Sequence, residues 1–239
     1  MLESFKNFRT RSDYCTDWPD SFDFDTDEIC QNKFRPFIEQ QLEELKAYDA
    51  QRPDNITYIF HEHAERVAND IKKTCLHMGL GDKVANNMYW AILTHDIGKK
   101  ELSINIWDSV EKPTGELKAL RRTHTVIATK LVEERFKDIN HPFKNLMIDI
   151  MLHHHEQMDG KGTLGIPAAE LSVPARLCAI IEAYDGWQIW RPHYGDRDIS
   201  NAGVIKRMRE EKGAAIFDME LFETFAKVKI EEHNKQQGR

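Results

Sequence analysis

The chain has 239 residues, of which 41 % are hydrophobic and 31 % charged, and its formal net charge is -7. These proportions are typical of a soluble globular protein with one large core. The acidic balance disfavours a binding surface for nucleic-acid polymers, which usually carries a basic excess. No run of about 18 apolar residues could span a membrane, and the N-terminus lacks the apolar stretch of a signal peptide.

The cysteines are too scattered to form a metal knuckle or a disulfide framework. They are Cys15, Cys30, Cys75 and Cys178, and none forms a CxxC pair. In a chain of this length we expect buried free thiols in a reducing compartment, which indicates a cytoplasmic protein.

The N-terminal residues differ in composition from the rest. Residues 13–28 contain seven acidic side chains and no basic one, interleaved with Tyr14, Trp18, Phe22 and Phe24. Because exposed aromatic side chains are costly, we expect an irregular arm whose aromatic residues dock on the main domain. The alternative is an acidic plug or a segment that docks a partner. With the helix that follows, residues 1–50 form the predicted N-terminal acidic arm and helix.

From residue 35 onward the apolar pattern is helical. Phe37, Ile38 and Leu45 recur at helical steps until Pro53 interrupts them, and a second helix presents one apolar face as far as Gly79–Gly81. Further helices are predicted over residues 82–98, with Asp82 as N-cap, and over 116–136, 143–157 and 174–190, with two more near the C-terminus. No convincing alternating strand pattern occurs. The sequence therefore predicts an all-α main domain over residues 51–239.

Histidines concentrate in the middle of this domain. His95-Asp96 follows the apolar run of residues 90–93, and Gly98 and Lys99 come directly after it. We expect Gly98 to permit a sharp exit from the helix. Burying a histidine, an aspartate and a lysine together is costly unless they compensate one another or bind metal. A metal site is therefore favoured over a surface pair.

Three further groups join this pair as candidate ligands. His153-His154-His155 lies at a helix end, where two adjacent rings could serve one ion. Glu182 lies in an apolar helix and needs a partner, and Asp185 follows one turn later on roughly the same face. His63 and His124, taken singly, would more often be a core and a surface histidine, so they gain weight only from the whole set.

The ordered set His63, His95-Asp96, His124, His154-His155 and Glu182 resembles the HD phosphohydrolase superfamily, and most of all its HD-GYP branch. The motifs that carry the resemblance are HAERV (63–67), HDIGKKEL (95–102), KPTGEL (112–117), HHEQMDGKG (154–162), ARLCAIIEAYDGWQIWRPHY (175–194) and FDMELFETF (217–225). The best-known members of the branch hydrolyse cyclic di-GMP, and their fold is a bundle of helices.

The resemblance implies a role for each of these residues. Asp96 would bridge two divalent metal ions. His63, His95 and Glu182 would complete one site, and His124, His154 and His155 the other. Lys99 and Arg191 would contact the phosphate. Iron or manganese is favoured, with zinc and nickel as alternatives. A hydroxide between the metals would attack phosphorus in line.

Two departures from the branch leave alternatives open. The Gly-Tyr-Pro tripeptide is absent, since Gly162 is followed by Thr163-Leu164-Gly165, and Glu182 stands where an aspartate is usual. The hypotheses are a cyclic dinucleotide phosphodiesterase, an HD phosphohydrolase of another nucleotide or phosphate ester, and a module that binds a cyclic nucleotide without turnover. The expected ligand is a small nucleotide-like phosphate. The oligomeric state stays open, with a homodimer among the options.

Overall fold

The computed structural model describes residues 17–108, 111–191 and 194–236. Helices dominate these ranges and no strand occurs within them, which confirms the all-α prediction. The helices are α1 (Arg35–Asp49), α2 (Phe60–His77), α3 (Gly81–Ile92), α4 (Gly115–Arg122), α5 (His124–Arg135), α6 (Pro142–His153), α7 (Val173–Gln188), α8 (Asn201–Arg207), α9 (Gly213–Ile216) and α10 (Met219–Gln236). None of the helices in these ranges is long and apolar enough to cross a membrane.

Side-chain caps set several helix starts. Thr114, Ser172 and Ser200 each accept a hydrogen bond from a backbone N–H in the first turn of α4, α7 and α8. His141 does the same for α6, with Pro142 at the first helical position. The caps place α4, α6 and α7 within one or two residues of their predicted starts.

Three predicted helices have wrong boundaries, and one of them, predicted over 143–157, already ends at His153. The helix predicted over 82–98 starts at Gly81 and ends at Ile92, with Asp82 in its first turn and not at the cap. His95 and Asp96 lie in the turn that follows, because the backbone N–H groups of His95 and Ile97 bond carbonyls only three residues back. A short 3-10 helix, Ile97–Glu101, then leads the chain away.

The helix predicted over 116–136 is broken at Thr123. Three consecutive side chains, those of Thr123, His124 and Thr125, bond the carbonyls of the residues three positions earlier. Side-chain bonds of this kind replace the helical ladder and end α4. The break turns the first residue of α5, His124, into the interior.

The core lies between α2, α3, α6 and α7, with α5 and α10 packed against it. The N-terminal arm belongs to it: Phe22 and Phe24 are buried, and Trp18 is half-buried against the same cluster. Phe24 stacks on Trp90 with ring centroids 4.7 Å apart. Docking of the arm is therefore confirmed for these aromatics, whereas Asp13 and Tyr14 lie outside the described residues.

One buried amide holds the arm in place. The Asn87 side chain donates to the carbonyls of Pro19 and Phe22 at 2.7 and 2.8 Å and accepts from the Phe24 N–H at 2.8 Å. The thiols of Cys30, Cys75 and Cys178 are free and buried, as predicted, and burial raises the pKa of Cys75 to about 12. Cys15 lies outside the described ranges.

Candidate metal centre

Four histidines from four parts of the chain converge on Asp96. His63 comes from the first turn of α2, His95 from the turn after α3, His124 from the start of α5 and His154 from just beyond α6. All four, and Asp96, are almost completely shielded from solvent. The centre therefore lies in the interior, where helix ends meet.

The backbone fixes the orientation of three of these rings. The Nδ1 atoms of His95, His124 and His154 lie 2.7, 2.6 and 3.1 Å from the carbonyl oxygens of residues 92, 121 and 150. A carbonyl can only accept a hydrogen bond, so each Nδ1 carries the proton and donates it. Each Nε2 is left with a free lone pair directed inward.

His63 is oriented by a carboxylate. Its Nδ1 donates to Asp185 Oδ2 at 2.6 Å, and Arg66 in turn holds Asp185 with two hydrogen bonds of 2.7 and 3.0 Å. A carboxylate behind a histidine fixes its tautomer and increases its basicity as a ligand, and such a partner is usual for metal-binding histidines. In the sequence, Asp185 stands out only because it shares a helix face with Glu182. The structure shows that its carboxylate accepts the Nδ1 proton of His63.

The inward nitrogens meet in two pairs beside the Asp96 carboxylate. His63 Nε2 and His95 Nε2 are 3.3 Å apart, and His124 Nε2 and His154 Nε2 are 3.2 Å apart. The first pair lies 3.5 and 3.3 Å from Asp96 Oδ2, and His124 Nε2 lies 3.1 Å from Oδ1. Lone pairs that face one another and a carboxylate repel unless a cation lies between them.

The donor set fits two divalent cations. Two groups can each offer ligand atoms within 4.8 Å of one another, namely His63 with His95 and Asp96, and His124 with His154 and His155. Asp96 Oδ1 is buried and accepts no hydrogen bond from the described residues. Imidazole nitrogens with a shared carboxylate and no thiolate are ligands typical of iron, manganese, zinc or nickel.

Glu182 lies on the side of the second group. Its Oε2 is 3.8 Å from His155 Nδ1, whereas the carboxylate in contact with His63 is that of Asp185. The resemblance grouped Glu182 with His63 and His95. In the structure its carboxylate lies beside His155 instead.

The charges of the centre favour cation binding. Burial alone would raise the pKa of Asp96, but Lys99, His95 and His124 hold it well below its usual value of 3.8. Burial holds the pKa of His154 well below 6.5 and lowers those of His63 and His124, so these rings are neutral at pH 7. At His95 burial is outweighed by Asp96, which raises the pKa. The Asp96 carboxylate thus favours positive charge beside it, as a bound cation would supply.

Aromatic side chains enclose the proposed phosphate-binding residues. Lys99 Nζ contacts Asp96 Oδ2 and lies 5.1 and 4.6 Å from the ring centroids of Tyr58 and Phe60. The Arg191 guanidinium lies 4.9 Å from the Tyr58 ring, and its Nε has no hydrogen-bond partner among the described residues. Sequence reasoning missed Tyr58, because a tyrosine just before a helix carries no distinctive pattern.

The glycine-rich loop is held by the glutamate that follows the three histidines. Glu156 is buried, and its two carboxylate oxygens accept from the backbone N–H groups of Leu164 and Ile166 at 2.6 and 2.8 Å. A Cβ on Gly162 would lie 2.4 Å from Glu156 Cα, so only glycine fits there. The loop after Gly162 is thus tied to the chain segment that carries His154 and His155.

Two other histidine clusters serve structure. His153 Nδ1 lies 2.8 Å from Asp149, whose other oxygen bonds Ser172, the cap of α7. His141 could form a group with Asp27 and Cys30, but its Nδ1 accepts from the Phe143 N–H, so its proton lies on Nε2, 3.3 Å from Asp27. That arrangement is a hydrogen-bonded helix cap.

The sequence matches the HD domain family over residues 40–221. The chain belongs to the HD domain family. All the converging residues named above lie within the matched part of this HD domain.

Curated relatives of this HD domain are named phosphodiesterases. It is 29 % identical over 175 residues to a cyclic di-GMP phosphodiesterase of Pseudomonas aeruginosa, covering 73 % of this chain and 39 % of that protein. It is 26 % identical over 172 residues to a cyclic di-GMP phosphodiesterase of Thermotoga maritima, covering 72 % and 45 %. It is 25 % identical over 198 residues to the 3'3'-cGAMP-specific phosphodiesterase 1 of Vibrio cholerae, covering 80 % and 44 %. The chain spans less than half the length of these relatives.

Solved structures share the fold of this HD domain. Bd1817, an HDG"Y"P protein from Bdellovibrio bacteriovorus, aligns with a TM-score of 0.60 at 16 % identity, over 95 % of this chain and 67 % of that one. The HD domain of the phosphodiesterase PgpH from L. monocytogenes, in complex with cyclic-di-AMP, aligns with a TM-score of 0.56 at 13 % identity, over 84 % and 98 %. At these identities the likeness concerns the fold.

Proposed function

We propose that this protein is a metal-dependent phosphodiesterase that hydrolyses a cyclic dinucleotide such as cyclic di-GMP. The observation that carries the proposal is the arrangement of four histidines around Asp96. The Nε2 atoms of His63 and His95 face each other, those of His124 and His154 do the same, and both pairs lie beside the one buried carboxylate. Such a centre suits two cations and has no evident use without them. Residues 51–239 would carry the activity, and the acidic arm and helix of residues 1–50 would support them. We place this reaction in the cytoplasm.

The proposed ligands follow the two groups of side chains. Asp96 would be shared between the two cations, with His63 and His95 on one side and His124, His154 and His155 on the other. Glu182 stays a proposed ligand, and its place beside His155 supports a role at that side. Iron or manganese is the proposed metal, with zinc and nickel as alternatives.

Bound there, two divalent cations would lower the pKa of a water molecule and neutralise phosphate oxygens. The protein's own groups would position the substrate. Lys99, held among Tyr58, Phe60 and Trp107, places a positive charge next to Asp96 in a shielded site where charges interact strongly. Arg191 on the Tyr58 ring offers an unpaired N–H to a second phosphate oxygen.

The substrate class rests on the relatives, three of which are named for cyclic di-GMP or 3'3'-cGAMP. The loop after Gly162 differs from Gly-Tyr-Pro, so another nucleotide or phosphate ester is the second candidate. A module that binds a cyclic nucleotide without turnover is the third.

Elemental analysis combined with a substrate panel tests the proposal. Wild-type protein should contain two divalent ions per chain and hydrolyse bis(p-nitrophenyl) phosphate, and a panel of cyclic dinucleotides and mononucleotides should show which it prefers. Asp96→Asn should lose both ions and all turnover, whereas Asp82→Asn, an exposed residue with the same change of charge, should lose neither. Full metal content in D96N would overturn the assignment, and a metal-loaded wild type that binds the panel without hydrolysis would favour the third candidate.

A further inference from the structure

A second arginine lies close in the chain to a histidine of the centre. Arg122 is the last residue of α4, two positions before His124. Its Nη1 is buried and has no hydrogen-bond partner among the described residues. Burial lowers the pKa of Arg122, and the carboxylates of Glu182 and Asp96 oppose that shift, so the guanidinium lies within electrostatic reach of both.

The neighbouring arginine shows that this orientation is specific. Arg121 donates from Nε to the carbonyl of Ile106 at 2.7 Å and from Nη2 to that of Trp107 at 3.0 Å, which ties α4 to the segment after Lys99. Neighbours on a helix point about 100° apart. With Arg121 fixed to that segment, Arg122 points in a different direction.

A buried guanidinium N–H without an acceptor is unfavourable, because the group has lost its water and gained nothing in exchange. Neither Glu182 nor Asp96 forms an ion pair with Arg122 within 4.0 Å among the described residues, so these carboxylates attract the guanidinium without satisfying its N–H. An anionic acceptor that enters the centre would satisfy it. Phosphate oxygens match the planar fork of arginine better than any neutral group does.

We propose that Arg122 binds a phosphate oxygen of the substrate. The substrate phosphate would then be contacted by three cationic side chains, those of Lys99, Arg191 and Arg122. This inference rests on the proposed function, because it takes the ligand to be a phosphodiester.

The test compares Arg122→Gln and Arg122→Lys with Lys130→Gln, which removes one positive charge from an exposed position on α5. For each protein we would measure metal content, thermal unfolding, binding of cyclic di-GMP, 3'3'-cGAMP and cyclic-di-AMP after metal removal, and hydrolysis of the same compounds. R122Q should weaken binding of the preferred compound at least tenfold while it keeps wild-type metal content. R122K should fall between R122Q and wild type, because an ammonium keeps the charge and loses the fork. K130Q should stay within twofold.

Binding by R122Q within twofold of wild type would overturn the inference, and so would loss of metal in both Arg122 variants, which would show a role in building the centre. Suppose that wild type binds a compound without hydrolysing it and that R122Q binds it more weakly. That result would contradict the phosphodiesterase activity and support the role of Arg122 in binding. If R122Q hydrolyses the preferred compound at the wild-type rate, only the proposed role of Arg122 is contradicted. A wild type that neither binds nor hydrolyses any of the three would overturn both.

Discussion

Gly98 is the position where one added methyl group should do most damage. Its φ is not positive, so the expected sharp exit from the helix is not the reason for a glycine there. A Cβ at this position would lie 2.1 Å from the carbonyl oxygen of His124 and 2.8 Å from the backbone nitrogen of Ala128. The 3-10 turn that follows Asp96 thus packs directly on the backbone of α5.

The cost of Gly98→Ala follows from these distances. Ordinary contacts of a Cβ begin at 3.4 Å, so the two backbones must separate by more than 1 Å, and no flexible side chain can absorb the change. Overpacking of this kind costs about 1–3 kcal/mol. For a domain of this size each kcal/mol of destabilisation lowers Tm by roughly 2–4 °C. A destabilisation of about 3 kcal/mol should therefore lower Tm by roughly 6–12 °C.

The separation should also divide the metal centre. Asp96 and Lys99 move with the turn, whereas His124 moves with α5, and metal–ligand distances tolerate only about 0.2 Å of error. We therefore expect G98A to bind less than one metal ion per chain and to lose at least 100-fold in turnover.

Gly115→Ala is the matched control. Nothing lies within 4 Å of a Cβ at Gly115, the first residue of α4, and alanine has the higher helix propensity. Calorimetric unfolding and elemental analysis of the two variants decide the matter. If G98A unfolds within 2 °C of wild type and keeps its metal, the close approach of the two backbones does not constrain the centre as described.

Three further predictions concern groups around the ligands. Asp185→Asn should lower metal affinity about 10–100-fold by titration, because His63 loses its charged acceptor; unchanged affinity would remove Asp185 from the centre. Glu156→Gln can accept only one of the two loop N–H bonds, so stability should fall by about 1–3 kcal/mol and amide exchange in the loop should accelerate, and equal exchange rates would contradict this. For metal-free protein, the depressed pKa of His154 means that the unfolded chain binds the extra proton first. His63 and His124 act in the same direction and His95 in the opposite one. With three lowered rings against one raised, stability should be full above pH 6.5 and decline as pH falls below it, and a Tm that is flat from pH 7.5 to 5.5 would refute the assignment of neutral rings.

The pattern of apolar residues was sufficient to predict the helices, but not where the chain leaves them. The α-helix before His95 ends three residues before this histidine, and the helix through His124 is broken just before it. The interruption before His95 depends on backbone bonds to carbonyls three residues back, and the one before His124 on side-chain bonds to carbonyls. Neither kind of bond leaves a periodic signal. These interruptions direct His95 and His124 inward, so the errors in the helix boundaries fall at the centre.

The candidate ligands were accessible from sequence because each lies in a motif of its own. Their partners were not. Tyr58 reaches Lys99 and Arg191 through contacts across the fold, and no local spacing announces it. Glu182 shows the same limit, since its helix position was correct but its neighbour is His155.

The buried amide of Asn87 has a consequence for any attempt to shorten the protein. The family match begins at residue 40, in the middle of α1, yet Asn87 depends on acceptors and a donor from residues 19–24. A protein trimmed to that match would lose these three hydrogen bonds of Asn87 and the Phe24 ring that stacks on Trp90, on the helix that leads to His95. Inactivity after such a truncation would then report a folding defect. It could not be taken as a sign that the acidic residues of the arm take part in chemistry or regulation.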